Sequence, residues 1–468
     1  MRKRRLPKFK QLQFDTALRD PERCKEILSI ISDFEGRTLT DECILDIMSV
    51  MYEKRFIKKS QIDLNAELKS EIQKHISHKA DGGYPEGYQA RFWTYMRTLS
   101  EFCFVLAPYN GELKLSLIAK KLINNELDEQ EAFAIQSMKF NRKSPYKNVS
   151  NDFNYFRFIV KVLVHLGRQK LSFENFILSM FNRDGNLQSF LQEIEASHFL
   201  DEGTLIAYLK TQYGVTNKRN TIFQDYPDAV IKMLRITGFI TLSYKEKLYL
   251  SLNEDKMDFI NALLAVPFEY TEEEKVDPLK FFQKAESLND RLLGIVEKDK
   301  NANTLTPEFY SSKLENVIQT YQLNENKVVS LIEKLNKNKS PLPSEEFKYI
   351  PDPLKLEFYI SLLVYMKYGN DFNIKPNYKM DSVGMPISHA PGNQGDIEIY
   401  DATIYWLLEV TLVRNKTQQI NNETTSVIRH LITSENSLNS PKKYLSLVAP
   451  VIHQDTHNYY KNQGSGKL

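Results

Sequence analysis

Cysteine is scarce here and scattered: Cys24, Cys43 and Cys103 stand alone, with no CxxC spacing. That excludes a disulfide scaffold and a zinc knuckle, and it points to a reducing compartment. Long apolar runs are missing too. No window reaches the length of a membrane span, and the opening MRKRRLPKFK leads into QLQFDTALRD, which has no apolar signal-peptide core. The expectation is a cytoplasmic protein with no membrane partner. An excess of one charge is also absent. With 62 basic and 60 acidic residues the net charge is +2, so an anionic partner must be met by local patches rather than a global field. The first ten residues form one such patch, with six bases and no acid, although a basic terminus is more often a solvated tail. Tryptophan is rare at 2 residues, and 25 tyrosines supply packing positions with polar tips instead. What is present, 42% hydrophobic and 26% charged residues over 468 positions, suits packed cores in two to four domains.

The first 270 residues read mainly as helices with two short hairpins, a mainly α (α+β) region. In the first, Gln89–Thr98 (QARFWTYMRT) is helix-like and Phe102–Ala107 (FCFVLA) is β-rich. A Tyr-Asn-Gly turn, Leu113–Leu115 and the helix LSLIAKKLINNE follow. In the second, Asp228–Ile236 is helix-like and Gly238 closes it. Phe239–Ser243 then pairs with Leu248–Leu252 across YKEK, and DKMDFINALLAV ends the unit. Helix, hairpin, helix thus occurs twice. This is the outline of a winged helix-turn-helix module, whose helix before the wing enters a DNA groove. It is equally the outline of plain α+β packing.

Between Thr271 and Asn338 the chain turns Lys/Glu/Asn-rich, with helical apolar spacing at Leu314, Val317, Ile318 and Tyr321, then Val328, Ile332 and Leu335. NKSPLPSEEFKYIPDP then carries four prolines and stops any helix, which predicts a boundary near Ser340. Beyond it, Leu354–Tyr368 reads as a helix, DIEIY and TIYWLLEVT as strands, Asn422–Ser434 as a helix and Lys443–Ala449 as a strand. The expected layout is two winged-helix-like modules (1–138 and 139–270), a helical linker (271–340) and a C-terminal α/β domain (341–468).

Two acids draw attention. Asp396 follows a Gly-Asn-Gln-Gly turn, and Glu409 ends an apolar strand, where a lone buried carboxylate is expensive. If the two strands pair antiparallel, both acids meet at one sheet edge. With a backbone carbonyl they would make a hard oxygen site suited to Mg²⁺, able to activate water for phosphodiester hydrolysis. The spacing alone also fits a strand-end cap and an exposed rim acid. His75 with His78, His453 with His457, and the GSGK of Gly464–Lys467 are weaker candidates, best read as solvated surface.

The GNQGDIE turn and strand, followed by EVT, resemble the nuclease core of the AlwI-type restriction endonucleases. This type IIS group includes strand-nicking relatives and lies within the PD-(D/E)xK nuclease superfamily. Glu357 in LEFY, the His389-Ala-Pro-Gly-Asn-Gln run and Glu423 in NNETTSVIRHL extend the likeness over roughly Pro351–Pro450. Upstream it continues through KLSLIAKKLINNE and FRFIVKVLVHLGRQKLSFENFILSMF, where the family keeps its recognition region.

The resemblance implies that Asp396 and Glu409 bind the metal with the Val410 carbonyl. Glu357 would bind or orient it through water, and Glu423 would be an accessory acid. Thr411 stands where the wider superfamily has a lysine, so activation of water would rest on the metal or on a base such as Arg414 or Lys416. Glu398 is better read as structural. Arg91, Arg97, Lys218, Arg219 and Arg235, on or beside the helices preceding the wings, are the expected DNA contacts. The family chain continues with further strand and helix past this point, which leads one to expect a shortened flank here. The implied function is a bacterial, Mg²⁺-dependent, site-specific type IIS endonuclease acting on double-stranded DNA, with one strand cut per site. Cutting both strands would take a second nuclease domain, from a transient homodimer or a partner subunit. A transposon-end nuclease and a DNA-binding regulator with an inactive nuclease fold are the alternatives.

Overall fold

The computed structural model describes residues 8–57, 68–74, 87–197, 199, 201–244, 247–302, 305–336, 347–392, 394–416, 419, 430 and 442–463. The chain forms two compact units, Met1–Ala302 and Asn303–Leu468.

The first unit contains two halves, each with helices leading into a two-stranded hairpin and a helix after it. Its first half runs through α1 (Arg23–Ser32), α2 (Asp41–Glu53), α3 (Leu68–Lys74) and α4 (Gly87–Glu101) to a hairpin of β1 (Val105–Leu106) and β2 (Lys114–Leu115). Helices α5 (Leu117–Ile123) and α6 (Glu129–Ser137) follow. The second half runs through α7 (Tyr155–Leu166), β3 (Leu171–Ser172), α8 (Phe173–Phe181), α9 (Leu187–Ser197), α10 (Glu202–Tyr213) and α11 (Tyr226–Ile236). Its hairpin is β4 (Ile240–Ser243) and β5 (Tyr249–Leu252), and α12 (Met257–Leu264) comes next.

The likeness extends to chemistry. An early extended segment in each half pairs antiparallel with the second half of the hairpin, Thr38 with Glu112 and β3 with β5. Thr40 and Ser172 then cap α2 and α8, their hydroxyls accepting the N–H of Cys43 and of Asn175. The helix before each hairpin is followed by a left-handed residue, Cys103 (φ 55°) and Gly238 (φ 72°). Cys103 shortens the first expected strand: of Phe102–Ala107 only Val105–Leu106 is ladder. Strand β3 goes beyond what the sequence pattern predicts, since two residues carry no period.

The halves close on an aromatic core. Phe14, Phe102, Phe140 and Phe156 pack with ring centroids 5.2 to 6.3 Å apart. Such pairs each contribute about 0.5–1.5 kcal/mol beyond area burial. Two helices from the expected linker, α13 (Pro278–Glu286) and α14 (Asn289–Ala302), belong to this unit.

The second unit starts with the other two, α15 (Pro307–Tyr321) and α16 (Glu325–Asn336), which bury Leu314, Val317 and Val328 as the spacing predicts. Helix α17 (Asp352–Tyr368) buries Leu354 to Leu362 almost without interruption. It leads to β6 (Asn373–Pro376), a small hairpin of β7 (Lys379–Met380) and β8 (Pro386–Ser388), then β9 (Ile397–Tyr400), β10 (Ile404–Val410), β11 (Lys442–Val448) and α18 (Gln454–Gln463). The main sheet has the order β11-β10-β9-β6. Strand β10 is antiparallel to β9 and parallel to β11. A parallel step needs a long crossover, and the helix expected at Asn422–Ser434 falls there, outside the described residues except for His430. The Ser340 boundary is outside them as well. Among the described residues no helix is long and apolar enough to cross a membrane.

Gly238 gives a direct test of the packing between the halves. A Cβ there would sit 1.9 Å from Gln130 Nε2 on α6, in a backbone conformation that L side chains avoid. Gly238→Ala should cost about 2–5 kcal/mol in chemical denaturation, from overpacking and the left-handed penalty together. Adding Gln130→Ala should return the overpacking part and leave about 1–2 kcal/mol. Full recovery in the double variant would show that the left-handed conformation matters little.

Candidate active site

Asp396 comes one residue ahead of β9, and Glu409 is the penultimate residue of β10. Leu408 faces Ile397 in the last registered pair, so one further step of the antiparallel ladder sets Glu409 opposite Asp396. Asp396 Oδ2 accepts the Val410 N–H at 2.7 Å, which fixes the acid across the two strand ends. Gly395 permits the approach: a Cβ there would lie 2.4 Å from Leu407 Cδ1 and 2.9 Å from Glu409 Oε1. The preceding turn is held by Asn377, whose Nδ2 donates to Gly395 O at 2.7 Å and whose N–H donates to Asp396 O at 2.9 Å.

A third acid arrives from α17. Glu357 is buried, its Oε1 lies 2.6 Å from His389 Nδ1, and its Oε2 is buried with no hydrogen-bond partner. Glu409 is buried too, with Oε1 2.9 Å from His430 Nδ1. The Asp396 carboxyl is pushed well above the usual carboxylate range. Loss of water does most of this, and the negative charges of Glu357 and Glu409 add to it; the Val410 N–H and His389 offset it in part.

Among the described residues no group of three His, Cys, Asp or Glu is arranged to hold a metal ion. Each acid is turned onto a protein donor: Asp396 onto Val410, Glu357 onto His389 and Glu409 onto His430. Mutual repulsion favours that arrangement. The donor chemistry nevertheless fits a hard divalent cation. The donors are carboxylate oxygens, they crowd one another electrostatically, and Glu357 Oε2 is a buried oxygen with nothing bound to it.

The remaining candidates separate clearly. Thr411 donates its N–H to Val448 O at 2.9 Å, and its Oγ1 accepts the Val413 N–H at 3.1 Å. Buried Glu398 takes Lys375 Nζ and Asn377 Nδ2, both at 2.9 Å, and so ties β9 to β6 and the turn after it. Lys416 is paired with Asp455 at 2.6 Å, and the Arg414 carbonyl accepts from His453 Nε2 at 2.8 Å. Glu423, His75, His78 and the GSGK segment lie outside the described residues. His389 and His430 have no role that the sequence pattern assigns. A signal exists all the same, because each sits inside a stretch that stands out for its acid or its turn.

The expected DNA contacts fall in three environments. Arg91 on α4 is half-buried, its guanidinium 4.9 Å from the Tyr95 ring centroid. Arg97 is exposed and pairs with Asp15 at 3.0 Å, while Lys218 and Arg219 are exposed ahead of α11, Arg219 against Glu202. Arg235 is different. It is buried on a helix that is buried from Pro227 to Ile236 but for Lys232, and its guanidinium pairs with Glu22. Burial lowers its pKa to about 10. Arg235 holds the fold and presents no surface to a duplex.

A family model described as AlwI restriction endonuclease matches residues 100–352 and again 325–466, and the chain belongs to that family. Among solved structures it is similar to the small subunit (R.BspD6I2) of the heterodimeric restriction endonuclease R.BspD6I. That match has 23% identity and a TM-score of 0.23, over 29% of this chain and 64% of that one. This chain therefore spans just under two thirds of that subunit's length. A second similarity is to the BpuJ1 endonuclease binding domain, solved with pyrene- and phenanthrene-modified DNA. There the identity is 12% and the TM-score 0.35, over 56% of this chain and 90% of that one. No curated protein matches the chain.

The raised pKa of Asp396 has a consequence for stability. A carboxyl whose folded pKa lies above its unfolded value of about 3.9 loses stability as the pH rises past that value, because the folded state resists ionisation. Asp396→Asn should therefore raise the thermal midpoint of the metal-free protein at pH 7. The gain should vanish when both forms are melted below about pH 3.9. An unchanged or lower midpoint at pH 7 would contradict the electrostatic picture of the site.

Proposed function

We propose that this member of the AlwI restriction endonuclease family is a site-specific DNA endonuclease of type IIS architecture. The observation that carries the reading is the juxtaposition of Asp396 and Glu409 across the ends of an antiparallel pair, with Glu357 brought in from α17. Desolvated acids at a strand end destabilise a fold unless they do something else.

In this reading Asp396 and Glu409 would hold Mg²⁺ together with the Val410 carbonyl, and Glu357 would orient water at the site. The bound ion would supply a more acidic water and neutralise charge on the phosphodiester. The protein's own groups set the stage. The Val410 N–H fixes the rotamer of Asp396, and Gly395 leaves room for the Glu409 carboxylate. Glu357 Oε2, with no protein donor on it, is available to accept a hydrogen bond from the attacking water. Thr411 has its hydroxyl committed to Val413 and adds no positive charge. Glu423 would be an accessory acid.

The repeated elements of the first unit supply the recognition half of the proposal. An early strand, a capped helix, a helix and then a hairpin, with the early strand against the second hairpin strand, is how a winged helix is built. We read two such modules, with duplex DNA as the partner. Of the two helices before the hairpins, α4 offers Arg91 and Arg97, whereas α11 is enclosed. The second module would therefore meet DNA through the exposed Lys218 and Arg219 ahead of α11.

Asp396→Ala or Glu409→Ala should abolish plasmid cleavage in Mg²⁺ while leaving sequence-specific binding in Ca²⁺ within about twofold, since only the metal shell is disrupted. Cleavage at the wild-type rate by either purified variant would remove the metal-site assignment.

Strand number follows from the geometry of one site per chain. The two scissile phosphates of a duplex lie on antiparallel strands and cannot occupy one Asp396/Glu409 pair together. At low protein concentration the first product from supercoiled plasmid should be open circle. Linear DNA should appear only when a second nuclease domain is recruited, by self-association or from a partner subunit. Linear product formed in one binding event by a protein that stays monomeric on DNA would refute the single-site reading.

A further inference from the structure

We propose that the first unit contains a phosphate-binding cleft centred on the Arg157 guanidinium, at the start of α7 where α13 and α14 approach it. The cleft has a volume of about 960 Å³ and is lined by Arg157, Lys161, Lys284 and Arg291, with Asn154 at the helix start. It is made from residues that the nuclease reading does not use.

Arg157 is 9% exposed and has no carboxylate partner among the described residues. Its Nε donates to Met138 O at 2.8 Å and its Nη1 to Val266 O at 2.8 Å. Those bonds account for two of its nitrogens. The third, Nη2, is buried with no hydrogen-bond partner. A buried guanidinium left both unpaired in charge and unsatisfied at one nitrogen is costly, and desolvation lowers its pKa to about 10. An anion in the cleft would compensate the unpaired charge.

The surroundings favour the same sign of ligand. Among the described residues, Lys161, Lys284 and Arg291 form no ion pair. The acids on the lining are fewer or already engaged: Asp152 is held by Lys275 at 2.7 Å, which leaves Asp184 and Glu269, both exposed. Four cations thus face two acids. The twelve-residue helix α7 adds the positive end of its dipole, with Asn154 Oδ1 taking the Arg157 N–H. Cleft volume and the excess of unpaired cations together suit a phosphate group, either on a free phosphate compound or on a nucleic-acid backbone.

The test uses the full-length protein. Arg157 ties three carbonyls and its replacement could unfold the unit, so Lys161→Ala, Lys284→Ala and Arg291→Ala are combined instead, with circular dichroism and melting midpoint as fold controls. Inorganic phosphate is titrated at constant ionic strength, and duplex DNA binding is measured across a salt series in EDTA. If free phosphate is the ligand, it binds the wild type and the triple variant binds it at least about tenfold more weakly, with an unchanged DNA salt slope. If the DNA backbone is the ligand, the triple variant weakens binding to all sequences alike. The slope of log K against log salt then falls by about one for each phosphate that the protein no longer neutralises. A folded triple variant that matches the wild type in both titrations overturns the proposal. These readouts need no cleavage, so failure here and failure of the nuclease reading are separate outcomes.

Discussion

The second unit is organised around an electrostatic conflict. Asp396, Glu409 and Glu357 come from the start of β9, the end of β10 and the body of α17; loss of water, with the charges of Glu357 and Glu409 adding to it, holds the Asp396 carboxyl well above its ordinary range. Folding gains nothing from placing ionisable acids side by side out of water. Several neighbouring features serve to hold them there regardless. The Val410 N–H crosses to Asp396, Asn377 grips the turn at Gly395 and Asp396, and His389 and His430 each take one carboxylate. Glu398 and Lys375 brace the other side of β9 at 2.9 Å. An isolated conflict would be a defect of packing. One restrained by this many directed bonds is characteristic of a site that needs its charge.

The first unit solves a different problem, which is how to build one rigid body from two small modules. The aromatic group around Phe102 and Phe156 joins them, and α11 is sunk into the junction with Lys232 against Asp20 at 2.8 Å and Arg235 against Glu22. The result is asymmetry. Of the two helices before the hairpins, α11 is enclosed from Pro227 to Ile236 but for Lys232, whereas α4 keeps Arg97 exposed.

How legible the protein is in its sequence depends on whether the signal is local. The 3.6-residue spacing of Leu314, Val317 and Tyr321 announces α15, and the apolar run before Glu409 announces β10; both are where periodicity and burial coincide. Asp396 and Glu409 stand out because an acid after a glycine turn, and an acid inside an apolar strand, are locally anomalous. Strand β3 is invisible, because two residues cannot show a period and its pairing with β5 is set entirely by the fold. His389 and His430 escape notice for a related reason. Each lies in a stretch that stands out for other residues, and its own role appears only from an acid 32 or 21 positions away. Arg235 departs from expectation because a cation on an amphipathic helix looks exposed until something covers the helix.

The position after Val410 holds a threonine, and its bonds show what it does. Thr411 satisfies the backbone, its hydroxyl accepting the Val413 N–H and its own N–H reaching Val448, so the position serves the edge of the sheet. A lysine there would bring a permanent charge on a flexible stem. What meets the acids in this site is a pair of histidines, His389 Nδ1 2.6 Å from Glu357 Oε1 and His430 Nδ1 2.9 Å from Glu409 Oε1, so each carboxylate is held by a ring rather than by a long flexible cation.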